Sequence, residues 1–232
     1  MRPPIDTRKL VRWYDFQAPF YRLWRHRQGV GVADEVASTL RAPALPPGAW
    51  ILDAGCGSGL FALALAASRA TDTVVGVDLS RGMLSAAARE ARERSVVNLR
   101  LAIADCCRLP FRDHSFDRVV AAGLLPNVND WALLLGELRR VLRPTGRLLL
   151  VEVDRDALGI AGRFLFWGMI RGQRLVARFA PQFRFADSWD VRASTIERAE
   201  LERVLRDAGL RTRSASRARG HLLLEIEKEG AT

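Results

Sequence analysis

No lysine occurs between Lys9 and Lys228. That absence excludes a phosphate-binding loop closed by Gly-Lys-Ser/Thr. Cysteine is scarce as well. Of the three present, Cys106 and Cys107 are adjacent and Cys56 stands alone, a spacing that fits neither a disulfide framework nor a set of metal ligands. Only three histidines occur: His26 in a basic stretch, His114 in the turn Arg112-Asp113-His114-Ser115, and His221 before an apolar run. None is marked by its neighbours as a catalytic base. No segment approaches the roughly 18 consecutive apolar residues that span a bilayer. Met1 to Leu10 is polar and contains proline, with no apolar stretch of the secretory kind behind it, so a cytoplasmic setting with reduced thiols is expected.

Against these absences stands one dense motif, Ile51-Leu52-Asp53-Ala54-Gly55-Cys56-Gly57-Ser58-Gly59. An apolar strand runs into an acid, then three glycines at alternate positions, then the helix-forming run Leu60 to Ala67. Glycines so close together let the backbone turn tightly and approach a ligand with no Cβ between them. The first N–H groups of the following helix have no internal partners and offer a binding edge. A dinucleotide fingerprint is incomplete, because Leu60 occupies the place of its third glycine. Asp53 argues the same way: a carboxylate repels phosphate but receives an ammonium group.

Two further acids follow at comparable places. Thr73-Val74-Val75-Gly76-Val77-Asp78 reads as a strand ending in a carboxylate about 20 residues past the glycines, where a ribose diol is commonly held. Leu99 to Ala104 reads as a third strand and ends at Asp105, which is placed to accept from the exocyclic amine of a purine. Each acid alone also suits a helix N-cap. Together they form a constellation for a nucleoside that carries an amino-acid tail and no phosphate.

This set resembles the class I S-adenosylmethionine-dependent methyltransferases, in particular the branch of the ubiquinone and menaquinone C-methyltransferases. The likeness rests on Asp53 to Gly59, Gly76-Val77-Asp78-Leu79-Ser80, Asp105 with Leu109-Pro110-Phe111, Ser115-Phe116-Asp117, and Leu138 to Arg147. It implies an α/β fold with a doubly wound, mainly parallel seven-stranded sheet. It also implies an N-terminal helical arm over 1–47, a methyltransferase domain over 48–232, and a helical lid inserted after the fifth strand at about 155–190. The cofactor implied is S-adenosyl-L-methionine. Asp53, Gly55, Cys56, Gly57 and Gly59 would face its methionine portion. Asp78 would hold the ribose and Asp105 with the Cys106 backbone the adenine, and Leu79 and Met83 would also bind the cofactor. Tyr14, in an arm resembling the Tyr-Asp…Ala…Tyr arm of that branch, would cover it. No metal is implied.

The expected elements agree with that outline. Strands are predicted near 50–54, 73–78, 98–103, 117–122 and 146–153, and helices near 59–69, 81–94 and 130–142. A helix over Thr195–Ala208 and two strands near 210–218 and 220–228, turning at Gly220, complete the chain.

Charge is segregated. The formal net charge is +10, yet residues 31–154 and 186–232 each balance to zero. The excess divides equally, +5 in residues 1–30 and +5 in residues 155–185. In the second segment Arg163, Arg171, Arg174 and Arg178 fall within about 80° of one another on a helical projection, Phe164 and other apolar residues spread over the remaining faces, and Phe164, Trp167, Arg171, Arg174 and Arg178 are the candidate lid residues. This predicts either a solvated arginine face or a lid over an oily or anionic small-molecule substrate, one that also contacts the inner face of a membrane. The arm concentrates Trp13, Tyr14, Phe16, Phe20, Tyr21 and Trp24, rings expected mostly to pack on the core.

The leading expectation is methyl transfer to a small lipophilic or aromatic acceptor, quinone-like or polyketide-like. A phospholipid amine is a second acceptor class. An RNA methyltransferase suits the charge but lacks the Pro-Pro-aromatic motif after the fourth strand, where Leu125-Pro126-Asn127 stands, so no nucleic-acid partner is favoured. A non-catalytic cofactor-binding protein is the remaining alternative. The sequence names no catalytic base, acceptor atom or oligomeric state.

Overall fold

The computed structural model describes residues 4–19, 21, 33, 36, 45–153, 168, 171, 172, 175, 178, 179, 198–218 and 220–230. Near-continuous apolar runs form β1 (Trp50–Ala54), β2 (Thr73–Asp78) and β4 (Phe116–Ala122), as strands covered on both faces require. With β3 (Leu99–Ile103), β5 (Leu142–Val153), β6 (Leu210–Ala218) and β7 (His221–Lys228) they make one sheet of order β3-β2-β1-β4-β5-β7-β6. The first five strands pair in parallel, and β7 runs antiparallel to both β5 and β6. The expected doubly wound, mainly parallel sheet is the one observed, and Gly220 turns the last hairpin at φ +79°.

The pleat sends alternate side chains to opposite faces. Leu52 and Ala54 join a core with α4 (Trp131–Val141) and α5 (Arg198–Asp207), where Leu134, Leu135, Leu138, Leu201 and Leu205 are buried. Ile51 joins the other core, beneath Phe61, Ala62 and Leu65 of α2 (Leu60–Ser68) and Leu84 of α3 (Arg81–Glu93). Strand order reverses at β1, which pairs β2 on one side and β4 on the other. In open α/β sheets a crevice forms outside the C-terminal strand ends at such a reversal.

One boundary differs from expectation by several residues, the others described by no more than one or two. α4 stops at Val141 and β5 begins at Leu142, four residues earlier than predicted. Pro144 disfavours a helical Arg143, so the chain turns extended at Leu142, with φ −72° and ψ 136°. A register shift then absorbs the extra residues, because Phe116 faces Leu142 whereas Arg118 faces Arg147.

Arg140 fastens the loop before β4. Its guanidinium donates to the Phe111 and Leu109 carbonyls and pairs with Asp113 and Glu137, while Glu137 also accepts the Leu109 N–H. The hydrogen bond from Arg140 holds the Glu137 carboxyl below its ordinary value. A depressed carboxylate adds stability above its unfolded pKa and loses it as pH falls through the folded value. Arg140→Ala is therefore expected to cost about 1–3 kcal/mol in urea unfolding at neutral pH. That penalty should shrink in acid; a pH-independent penalty would contradict the ion-pair account.

The arm forms α1 over 7–19, started by Asp6, whose carboxylate accepts the Arg8 and Lys9 N–H groups. Its aromatics do not simply join the main core. Trp13 is buried with Ile5 and Leu10 in a separate cluster, and Phe16 stacks on it while staying 52% exposed. Phe20 and Trp24 lie outside the described residues.

Candidate functional site

The loops after β1, β2, β3 and β4 converge on one cavity of about 300 Å³ at the sheet's point of reversal. Its walls include Gly55 to Ser58, Asp78 to Ser80 with Met83, Ala104 to Cys107, and Ala122 to Leu124. The arm closes it with Thr7, Leu10, Val11, Tyr14 and Tyr21. Cavities of this size hold small molecules and cofactors.

The glycine loop is shaped by backbone conformation. Gly55, Gly57 and Gly59 have φ of +72°, +53° and +83°, values that L side chains avoid. A Cβ on Gly55 would stand 2.8 Å from Leu124 Cδ1, across the cavity wall. At Gly57 a Cβ would meet nothing within 4 Å, so that position leaves open space beside the backbone. The Cys56 N–H donates to the Val77 carbonyl, which seats the loop on β2. Gly76 permits this seat, since a Cβ there would lie 2.9 Å from Cys56 Sγ.

Asp78 is the best-defined polar group of the site. One oxygen accepts the Gly57 N–H at 2.9 Å and the other accepts the Ser80 N–H at 2.8 Å. Burial pushes its carboxyl above the ordinary value, against the pull of these two donors, and nearby Asp15 adds to the rise. A carboxylate offers about four acceptor directions, so each oxygen keeps one for a ligand. Two acceptors held at a fixed spacing match a pair of neighbouring hydroxyls.

Asp105 also reaches the cavity, with its backbone in a turn: the carboxylate accepts the Cys107 N–H at 2.9 Å and the carbonyl accepts the Arg108 N–H. Leu79, Met83 and Cys106 supply buried or half-buried apolar wall. Burial raises the thiols of Cys56 and Cys106, with Asp53 and Asp78 as the next causes for Cys56, and it pushes Cys107 up to about 11. All three therefore stay protonated at neutral pH and are poor nucleophiles.

Other expected site residues are placed differently. Asp53 is 1% exposed and is not among the wall residues; the pleat puts it on the Ile51 face, which α2 covers. Gly59 serves as N-cap of α2 rather than as wall. Arg171 and Arg178 are exposed and away from the cavity wall. Phe164, Trp167 and Arg174 lie outside the described residues, as does His26. His114 adopts φ +56° with Nδ1 3.0 Å from the Leu142 carbonyl oxygen. Neither it nor His221 lines the cavity.

Several residues that bind the arm to the site were not expected. Asp15 on α1 accepts the Ser80 hydroxyl at 2.6 Å and the Gly82 N–H at 2.8 Å, which adds an external cap to α3. The Tyr14 hydroxyl donates to Asn127 Oδ1 at 3.1 Å, and Asn127 donates to the Gly123 carbonyl. Asn129 exchanges two hydrogen bonds with the Ile5 backbone. The adjacency of Tyr14 and Asp15 was the sole local signal for any of these.

S-adenosylmethionine presents a ribose diol, an aromatic base with an amine, a sulfonium and an amino-acid tail, and no phosphate. The Asp78 acceptors, the Asp105 carboxylate, the apolar wall and the Cβ-free loop fit those groups.

Residues 52–150 match a family model described as a methyltransferase domain. A demethylmenaquinone methyltransferase from Bacillus licheniformis is 36% identical over 121 residues, covering 52% of this chain and 51% of the relative. The chain thus matches about half the length of that relative. Among solved structures, magnesium protoporphyrin IX methyltransferase from Synechocystis with bound S-adenosylmethionine is similar at TM-score 0.67 and 19% identity, covering 99% of this chain and 100% of that one. An Aquifex aeolicus methyltransferase of the same dependence is similar at TM-score 0.58 and 16% identity, covering 83% and 97%.

Proposed function

We propose that this chain is a class I S-adenosylmethionine-dependent methyltransferase that acts on a small, lipophilic or aromatic acceptor of the quinone or polyketide type. The observation that carries the reading is Asp78, a half-buried carboxylate with both oxygens tied to backbone and both still able to accept. The matched relatives named as demethylmenaquinone methyltransferases favour a quinone-like ring over a phospholipid amine or RNA.

When bound, the cofactor supplies a sulfonium methyl group that is already electrophilic. The protein's own part is to bind, align and shield. Asp78 would hold the ribose hydroxyls, Asp105 and the Cys106 backbone the base, and the loop Gly55–Ser58 the amino-acid tail. Alignment of an acceptor atom with the methyl group supplies up to about 7–11 kcal/mol of the barrier. An acidic phenol or quinol needs little help from a base, which suits a wall whose thiols are neutral.

In this reading the arm (1–47) and the insertion (about 155–190) are the acceptor-side elements. Tyr14 and Asn127 stand between the arm and the loop after β4, where an acceptor oxygen finds polar partners amid Leu10, Val11 and Leu124. Asn127→Ala is expected to lower kcat/KM for the acceptor roughly tenfold, with cofactor affinity changed by less than about twofold. A matching loss of cofactor affinity would move this pair to the cofactor's side of the cavity.

The proposal is tested by transfer of a tritiated methyl group from the cofactor into host extract separated into lipid, RNA and small-molecule fractions. Label in the lipid or aromatic small-molecule fraction is expected. Label confined to RNA, or in no fraction despite cofactor binding, would overturn it.

A further inference from the structure

The arm helix has two faces with different chemistry. At about 100° per residue, Leu10, Tyr14, Thr7 and Val11 occupy one sector, and all four line the cavity. Arg8, Arg12, Phe16 and Lys9 occupy a second sector of about 100°, centred roughly opposite, and all four are exposed. No acid falls within this outer sector. Asp15 sits at its edge, engaged with Ser80 and Gly82, and Asp6 precedes the helix. Three cations and a half-exposed ring thus form a continuous stripe on the outside of the cavity's cover.

A second exposed surface has the same composition. Arg171, Leu175, Arg178 and Phe179 are all helical and exposed, Leu175 by 58% and Phe179 by 80%. Had this segment only a solvated arginine face, the leucine and the phenylalanine would be covered. Both surfaces lie in the two segments that hold the whole net charge, +5 each, while the rest of the chain balances to zero. Basic residues interleaved with exposed apolar ones attract anionic headgroups and insert rings at the acyl boundary.

We infer that the outer face of the arm helix, Arg8, Lys9, Arg12 and Phe16, docks this protein on an anionic phospholipid surface, with Arg171, Leu175, Arg178 and Phe179 as a second point of contact. The inference deepens the proposed function and rests on it only for its purpose, which is to bring the cavity's cover to the phase where an oily acceptor resides. The chemistry that recognises the partner is a sheet of negative headgroups over hydrocarbon. A nucleic-acid backbone shares the charge but offers no acyl layer for Phe16 and Phe179.

The test is co-sedimentation of the full chain with phosphatidylcholine vesicles that contain or lack phosphatidylglycerol. Binding is expected only when phosphatidylglycerol is present, and it should fall steeply with added salt. The variant Arg8→Glu/Lys9→Glu/Arg12→Glu should lose at least roughly tenfold in vesicle affinity, while cofactor affinity and methylation of a detergent-dispersed acceptor are unchanged. Phe16→Ser should weaken binding without altering its salt dependence. Equal binding to both vesicle types, wild-type binding by the triple variant, or retention by total RNA in preference to vesicles would each overturn the inference. The two proposals fail separately. A protein that methylates in detergent but ignores vesicles defeats this one alone. A protein that binds vesicles but methylates nothing defeats the proposed function alone.

Discussion

Asp78→Ala is expected to weaken S-adenosylmethionine binding by about two to four orders of magnitude while leaving the protein folded. The carboxylate offers charged acceptors to two hydroxyls, and hydrogen bonds to a charged group contribute about 1.5–3 kcal/mol each. Its removal also frees the Gly57 and Ser80 N–H groups that it now holds, which loosens the loop at its centre. Titration calorimetry measures the effect directly, and circular dichroism checks the fold. Acidification should act in the same direction on the wild type. Burial raises the Asp78 carboxyl, so it takes up its proton at a pH above the ordinary carboxylate range of about 3.9. Cofactor affinity should therefore decline as pH falls through that raised value, and Asp78→Asn should remove the dependence. For stability the sign is opposite. An acid with a raised folded pKa favours folding most when protonated, and that contribution is lost as pH rises through the folded value.

Gly59→Ala is the second large effect, and it falls on stability. Two independent costs meet at this residue. Its φ of +83° is unfavourable for any L side chain, by about 1–2 kcal/mol. A Cβ there would also stand 2.9 Å from Ala87 Cβ on α3, and overpacking of this kind costs about 1–3 kcal/mol. A total loss of about 2–5 kcal/mol in urea unfolding is expected. Adding Ala87→Gly should recover only the packing part. Complete recovery would mean the backbone conformation carries no strain, and no recovery would mean the contact carries none.

Where chemistry follows the chain locally, the sequence was a good guide. Apolar runs of strand length gave β1, β2, β4 and the second half of β5, because residues buried on both sheet faces must be apolar whatever the details of packing. Asp78 was legible because a carboxylate one residue beyond such a run has only the crevice or a helix cap to serve. Asp53 looks equivalent in the sequence but is placed differently. It also follows an apolar run, but it is the penultimate residue of β1 whereas Asp78 is the last of β2, and the pleat turns it onto the Ile51 face instead of forward. The arm's attachments were illegible because they join residues far apart in the chain. Asp15 meets Ser80 and Gly82, and Ile5 meets Asn129, and nothing near either partner announces the other. Gly76 belongs to a recognisable motif, but its purpose, room for the Cys56 thiol, exists only once β2 and the glycine loop are adjacent.

The most direct test of the account is a binding cycle on one carboxylate. S-adenosylhomocysteine and an analogue lacking one ribose hydroxyl are titrated into the wild type and into Asp78→Ala. If Asp78 cradles the sugar, the analogue binds the wild type at least about tenfold more weakly than the parent, and the difference vanishes in the variant. An equal difference in both proteins, or none in either, would contradict it.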